Sequence, residues 1–298
     1  MTMRVSTFGQ SSTVLSNAMN TQAKLAQKQE QQSTGLVSMN YGGLGADAGS
    51  LVNLEVSIAR AKSTISASET ALNRVQTQYS VLGSINDVLT EMRSELASVL
   101  SSEDINTLQI AAKEMLLELG SLVNTQYQGR YLFAGSETET MPIDLSAYAA
   151  ADIDTVDSSY YQGDSEIQSV RLTEDRALTY GVTGDNSGLE QAFRGLSYAA
   201  NTDPISSEDL QKVAALLVSA QDEVIALQSS MGYKAATLEN VIESKDEYIV
   251  SVESIVTDLT SVDIAEVAVQ AATYKTQLEA SYSALGTLSS LSLLDYLR

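Results

Sequence analysis

Residues 58–100 read IARAKSTISASETALNRVQTQYSVLGSINDVLTEMRSELASVL. Stepping alternately by three and four visits Ile58, Ala61, Ile65, Ser68, Leu72, Val75, Tyr79, Leu82, Asn86, Leu89, Arg93, Leu96 and Leu100. Ten of these thirteen are apolar or aromatic. That is a helical heptad stripe held for about six heptads. No proline interrupts it, and Gly83 is its one weak helix former. The stretch predicts a helix of about 65 Å at 1.5 Å per residue, far longer than helices of ordinary globular domains.

A second stripe follows Asp203-Pro204. Ser206 and Asp209 have the spacing of a capping box, with Asp in place of the usual Glu. The stripe then runs through Leu210, Val213, Leu217, Ala220, Val224, Leu227, Met231, Leu238, Val241, Tyr248, Val252, Ile255 and Leu259, interrupted by Lys234 and Lys245. Long lysine stems can snorkel out of such a seam. This helix is the expected rod partner of the first. Tyr79, Tyr248 and Tyr274 fall on stripe positions and are expected in the core.

A shorter helix is expected over about 103–128. Ser101 and Ser102 precede Glu103 and Asp104, which suits the positive end of a helix dipole, and Gly129 would stop it. Residues 141–190 have no helical period. IQSVRL (167–172) and ALTYGVTG (177–184) read as short strands bounded by turns. Between residues 35 and 50, GLVSMNYGGLGADAGS carries five glycines and reads as a loop or hinge.

Both ends differ from the middle. Residues 5–34 carry a thin stripe of Phe8, Leu15, Met19 and Ala26, with Val14, Ala18 and Leu25 beside it, in a Gln/Ser/Thr-rich background. Residues 264–288 repeat the heptad as Ile264, Val267, Ala271, Tyr274, Leu278, Ser281, Leu285 and Leu288, and the chain continues into LSSLSLLDYLR. Neither end has the partners to stabilise itself alone. Burial against neighbouring subunits of an assembly is the expected use, with pairing of the two ends inside one molecule as the alternative.

The fold class is therefore mainly α: an elongated helical rod of long antiparallel, coiled-coil-like helices, with the terminal helices paired and a small β-rich insertion. The expected division is a terminal assembly domain of residues 1–45 and 262–298, a rod domain of 46–140 and 191–261, and a surface insertion of 141–190.

Composition excludes much chemistry. The 298 residues include no His, Cys or Trp. Imidazole-based triads, thiolate metal sites and disulfides are ruled out. With 38 acidic against 17 basic residues the net charge is −21, so binding to a nucleic-acid backbone or an anionic membrane is not expected. Residues 141–190 hold ten acids and two bases, a net of −8. Asp152, Asp154 and Asp157 are loosely calcium-like in spacing, but the glycine and terminal glutamate of an EF-hand loop are missing, and a solvated acidic loop is expected instead. Gly181-Val182-Thr183-Gly184 lacks the lysine of a phosphate loop and reads as a β-turn. No enzyme activity, cofactor or metal is expected. No apolar run resembles a signal-peptide core or a membrane span.

Several stretches together resemble the flagellin-like axial proteins of the bacterial flagellum, and within that family the hook–filament junction members. They are the polar N-terminal helix from Arg4 to about Gln32 with STG at 33–35, and SETALNRVQTQYSVLGSINDVLTEMRSELA at 68–97. QYQGRYLFAGSETETMPI at 126–143 and Leu291-Ser292-Leu293-Leu294-Asp295-Tyr296-Leu297 complete the set, with Tyr161-Gln162-Gly163-Asp164 resembling the start of the junction members' inserted β-domain. The sequence departs from them at MNYGGLGADAGS (39–50), where many carry a Pro-x-Asp-Asp-Pro segment.

The resemblance implies a structural adaptor between hook and filament, with chain ends paired along an inner tube. It implies a ring of about eleven copies, held by helical-tube packing of the subunits. It also implies a first hook-associated protein and flagellin as partners, type III export without a cleaved signal, and an export chaperone on the C-terminal helix. The expected assembly contacts are Phe8, Leu15 and Met19 on one helix and Leu278, Leu285, Leu288, Leu291, Leu294 and Tyr296 on the other. A filament flagellin, a cytosolic coiled-coil scaffold, and a surface protein binding carbohydrate or a cation through its acidic insert are the alternatives.

Overall fold

The computed structural model describes residues 3–102, 105–150 and 152–290, with side chains described for 9–99, 105–150 and 152–288. The helices are α1 (Met3–Thr34), α2 (Asp47–Ser102), α3 (Ile105–Val123), α4 (Ser187–Asn201), α5 (Ser207–Thr260) and α6 (Ile264–Ser290). Two antiparallel hairpins pair β1 (Gln126–Tyr127) with β2 (Arg130–Tyr131), and β3 (Gln168–Arg171) with β4 (Ala177–Tyr180). The chain is mainly α with a small β-rich part, and its two end helices pack on each other. It divides into one unit of residues 1–59 and 249–298 and another of residues 60–248.

In the second unit α2 and α5 run antiparallel. Gln76 Nε2 donates to Glu239 at 3.2 Å, while Gln221 Nε2 donates to Asn86 Oδ1 at 2.8 Å and to Thr90 Oγ1 at 2.9 Å. The α5 stripe is buried as expected at Leu210, Val213, Leu217, Ala220, Val224, Met231 and Leu238. Its start is the expected capping box: the Ser206 hydroxyl donates to Asp209 Oδ2 at 2.6 Å, and Asp209 N donates back to Ser206 Oγ at 3.1 Å. Lys234 and Lys245 are half-buried, and desolvation lowers the pKa of the Lys234 ammonium.

The α2 stripe has the expected period but half of it lies on a different row. Val75, Leu82, Leu89 and Leu96 are buried as expected. Their flanking partners are Ala71, Gln78, Ile85 and Met92 instead of Leu72, Tyr79, Asn86 and Arg93. Two neighbours press on α2 at once. Gln78 is buried because its Nε2 donates to Leu132 O at 2.8 Å and to Val182 O at 3.2 Å, tying both hairpin segments to the helix. The 79/86/93 row meets α5 through polar groups instead. Tyr79 O accepts from Gln228 at 3.4 Å, and Arg93 and Asn86 share Gln221. Tyr79 is accordingly 44% exposed and Tyr248 43% exposed, so neither is the core residue its heptad position suggests, while Tyr274 is half-buried.

The helix expected over 103–128 ends at Val123. Glu103 and Asp104 lie outside the described residues, as does Ala151. Gly129 is not a helix stop. Gln128 (φ 52°) and Gly129 (φ 75°) both take the left-handed conformation that a two-residue hairpin turn needs. The hairpin delivers Leu132, Phe133 and Ala134 into the core, all three buried. Gly135 follows at φ 70°, where an added Cβ would lie 2.1 Å from Asp164 Oδ1. The Gly-Arg-Tyr-Leu-Phe-Ala-Gly run is thus a knot. Phe133 O accepts from Gly184 N at 2.8 Å and from the Tyr161 hydroxyl at 3.1 Å. The Asp164 carboxylate accepts from Ser136 N at 2.8 Å and also from the Ser136 hydroxyl.

The α4 helix has no counterpart among the expected elements. Asn186 caps it by accepting from Gly188 N at 3.2 Å, and Leu189, Ala192, Phe193, Leu196 and Ala199 form its buried face. α4 packs on α3 and anchors the irregular segment before it. Phe193 lies 4.4 Å from the Tyr160 ring centre, and Tyr160 meets Tyr148 edge-on at 5.1 Å. Beside them Arg194 makes a buried fork on Glu190, Nε to Oε1 at 2.8 Å and Nη2 to Oε2 at 3.1 Å, and also donates to Ile153 O. Glu190 Oε1 accepts from Asp157 N at 2.9 Å.

Candidate assembly surface

In the unit of residues 1–59 and 249–298, α1 and α6 form an antiparallel pair. Its closed end is pinned by backbone bonds. Val37 N donates to Thr260 O at 2.7 Å and Val262 N to Gly35 O at 2.9 Å. Gly35 at φ 73° terminates α1, and its N–H returns to Gln31 O at 2.8 Å. The buried Gln31 donates to Val37 O at 2.8 Å and accepts from Lys28 at 2.9 Å. Asp263 starts α6 by accepting from Ala265 N at 2.8 Å and Glu266 N at 3.2 Å.

The inner seam mixes small side chains with leucines and a few long polar or aromatic ones. On α1 it is Ser11, Val14, Ala18, Thr21, Leu25, Lys28 and Gln31, of which Ala18 and Gln31 are buried and the rest half-buried. On α6 it is Val267, Ala271, Tyr274, Leu278, Ser281, Leu285 and Leu288, the row expected from the heptad. The Lys24 ammonium lies 6.0 Å from the Tyr274 ring centre, within reach of a cation–π contact.

The expected contact residues fall into three groups. Leu15 and Met19 sit one turn apart on the outer face of α1, 50% and 63% exposed. Leu278, Leu285 and Leu288 are half-buried on the inner row of α6. Leu291, Leu294 and Tyr296 lie outside the described residues, as does the Phe8 side chain. Three exposed α6 side chains add to the outer face: Ile264, Val269 and Tyr282. The Tyr282 hydroxyl approaches Gln22 Oε1 at 3.5 Å, and Gln22 follows Met19 by three residues, so Tyr282 borders the Leu15–Met19 patch. Val269 and Tyr282 lie off the heptad row, and the row alone could not flag them. Further exposed apolar side chains of this unit are Leu36, Met39, Tyr41, Val52, Val56, Val250 and Ile255. The Tyr41 hydroxyl donates to Glu55 at 2.9 Å, and that carboxylate raises the phenol's pKa.

This unit is under-packed for its size. Among the described residues its buried apolar side chains are Ala18, Leu51, Ile249, Val252, Val267 and Ala271, against twelve large apolar side chains left exposed. The continuous buried core of the chain, from Ala71 to Leu238, lies wholly in the other unit. Large exposed apolar area of this kind marks interaction surfaces.

Elsewhere the carboxylates of the acidic loop are engaged locally. Asp152 accepts from Asp154 N at 3.0 Å and from Thr155 Oγ1 at 2.7 Å, Asp154 pairs with Lys212 at 2.8 Å, and Asp157 accepts from Ser159 N at 2.9 Å. Among the described residues no cluster of acidic side chains could hold a metal ion, and no helix is long and apolar enough to cross a membrane.

Among the described residues the buried core thus lies within residues 60–248, and residues 1–59 and 249–298 carry a lightly packed helical pair with exposed apolar side chains. A family model described as the bacterial flagellin N-terminal helical region matches residues 5–138, and one described as the bacterial flagellin C-terminal helical region matches residues 215–297. The chain belongs to the bacterial flagellin family, a family of structural proteins and not of enzymes.

Solved structures share the fold. Bacillus cereus FlgL superposes with a TM-score of 0.55 at 18% identity, covering 70% of this chain and 98% of that one. Flagellar hook-associated protein 3 of Legionella pneumophila gives 0.54 at 13%, covering 69% and 98%. A Vibrio parahaemolyticus chain, provisionally named as a flagellar hook-associated protein, gives 0.57 at 18%, covering 74% and 99%. No curated protein matches by sequence.

Proposed function

We propose that the chain is a junction adaptor of the bacterial flagellum, joining the hook-side ring to the filament by packing of its terminal helices. The observation that carries the reading is the outer apolar face of the α1–α6 pair, Leu15, Met19 and Tyr282, on a unit with little core of its own. Fully burying such side chains is worth about 1.5–3 kcal/mol each, so a handful per subunit offsets the ordering of two marginal helices. The named functions of the structural neighbours support the junction in preference to other flagellin-family roles.

On this reading the partners are a first hook-associated protein on one side and flagellin on the other. The subunits form a ring, and export precedes final folding of the ends. Leu278, Leu285 and Leu288 hold the pair together, Leu15 and Met19 face neighbouring subunits, and Phe8, Leu291, Leu294 and Tyr296 extend the contact. Deleting the gene is the test. Cells with hooks, no filaments, and flagellin monomers in the medium support the adaptor. Cells with complete filaments contradict it.

The two flagellin family models favour one other role, that of a filament subunit. Abundance separates the two: a filament subunit dominates sheared filaments, and an adaptor is a trace at their base.

A further inference from the structure

Turn residues Leu172, Thr173 and Arg176 of the β3–β4 hairpin face Thr237, Asn240, Val241, Ser244 and Lys245 of α5 across an open groove of about 290 Å³. Its charge is the reverse of the molecule's. The chain is net −21, yet the lining holds two cations and no carboxylate. Carboxylates flank it in sequence, Glu174 and Asp175 beside Arg176 and Glu243 and Asp246 beside Lys245, but none of them lines it, and Glu174 pairs with Arg60 at 3.4 Å. By contrast, the groove between α2 and α3 is lined by Glu91, Glu95, Glu114 and Glu118 with no cation.

The lining also has a graded polarity. Leu172 is buried and Val241 half-buried, which makes an apolar floor. Thr173, Ser244 and Asn240 are exposed along the rim with hydroxyl and amide groups, and Thr237 already donates its hydroxyl to Tyr233 O at 2.9 Å, leaving its oxygen as an acceptor. Arg176 is exposed, and Lys245 stands half-buried with its ammonium 5.9 Å from the Tyr248 ring centre. An apolar floor suits the C–H face of a pyranose, hydroxyl and amide groups suit its alcohols, and a guanidinium beside an ammonium suits a carboxylate. The volume takes one ring.

We propose that this groove binds an acidic sugar, a single carboxylated pyranose of a surface glycan. The groove is lined wholly by residues of the unit 60–248, so the proposal does not depend on the adaptor role.

The test is titration of the full chain with sodium glucuronate, glucose and sodium sulfate, followed by calorimetry and by backbone amide shifts. The expected result is saturable glucuronate binding with shifts confined to 172–176 and 237–245, weaker sulfate binding, and no glucose binding. Arg176→Gln and Lys245→Gln should each weaken glucuronate binding about tenfold, the scale of one lost charge-assisted hydrogen bond, while Lys113→Gln outside the groove should not. Far-UV circular dichroism verifies that each variant is folded. No saturable glucuronate binding, equal binding of sulfate and glucuronate, or shifts elsewhere would each overturn the proposal.

Discussion

Replacing Glu190 by Ala strips a buried guanidinium of its counter-charge. Glu190 is 3% exposed and Arg194 6% exposed. The carboxylate takes both arms of the Arg194 fork and the Asp157 N–H. Removing one partner of such a pair costs about 3–5 kcal/mol, because the remaining charge stays buried without compensation. Leaving the Asp157 N–H unsatisfied adds about 1–3 kcal/mol. Domains are stable by only about 5–15 kcal/mol, so the loss is a large share of the total.

The assay is urea unfolding followed by near-ultraviolet circular dichroism. The chain has no Trp, and Tyr148 and Tyr160 pack in the cluster beside the pair, so their loss of packing contributes to the signal of the chain's 14 Tyr. With a slope of about 2 kcal/mol per molar urea, the combined loss of about 4–8 kcal/mol should lower the midpoint by about 2–4 M. The double variant Glu190→Met, Arg194→Leu should recover at least half of that, since a hydrophobic replacement removes the stranded charge. A single-variant loss below about 1 kcal/mol, or a double variant no better than the single, would refute the reasoning.

Other positions give narrower tests. Gly135→Ala forces a non-glycine residue to φ 70° and drives its Cβ against Asp164, so it should cost about 2 kcal/mol or more and loosen the knot around Phe133, seen as faster amide exchange at Gly184. Ser206→Ala removes the capping box of α5 and should cost about 1 kcal/mol in the same urea assay. The hydrogen bonds from Ser136 hold the Asp164 carboxyl below its usual pKa. A lowered folded-state pKa stabilises above the unfolded value and loses that stability as pH falls through the folded one. Asp164→Asn should therefore be less stable than the parent near neutral pH, and flatter below about pH 4 where the parent's carboxylate protonates. A parallel acid profile would contradict this.

The long helices are legible because period and length need no knowledge of the partner: Val75, Leu82, Leu89 and Leu96 lie buried where the three-four stepping puts them. The stepping cannot say which flank of the row is covered. That depends on the hairpin segments carrying Leu132 and Val182, which come from elsewhere in the chain and claim Gln78. The capping box at Ser206 is readable because its bonds are local. The turn at Gln128–Gly129 passes for a helix end because a glycine that stops a helix and a glycine that turns a hairpin have the same backbone requirement. The α4 helix carries a helical stripe of Leu189, Ala192, Phe193, Leu196 and Ala199, but the stripe is short and follows directly on the turn residues Asp185–Gly188. On the terminal pair, the inner α6 row is plain in the sequence. The exposure of Leu15 and Met19 follows from α6 taking the Val14–Ala18–Leu25 side of α1, a choice set by pairing.

The most direct measurement of the central claim is complementation of the deletion strain with the Leu15→Asp, Met19→Asp double variant. Both side chains are exposed, so folding in the monomer should change by less than about 0.5 kcal/mol per site. The account predicts a stable, exported protein, hooks without filaments in electron micrographs, and flagellin in the medium. Normal filaments on cells carrying this variant would contradict it and move the assembly contact off the outer face of the α1–α6 pair.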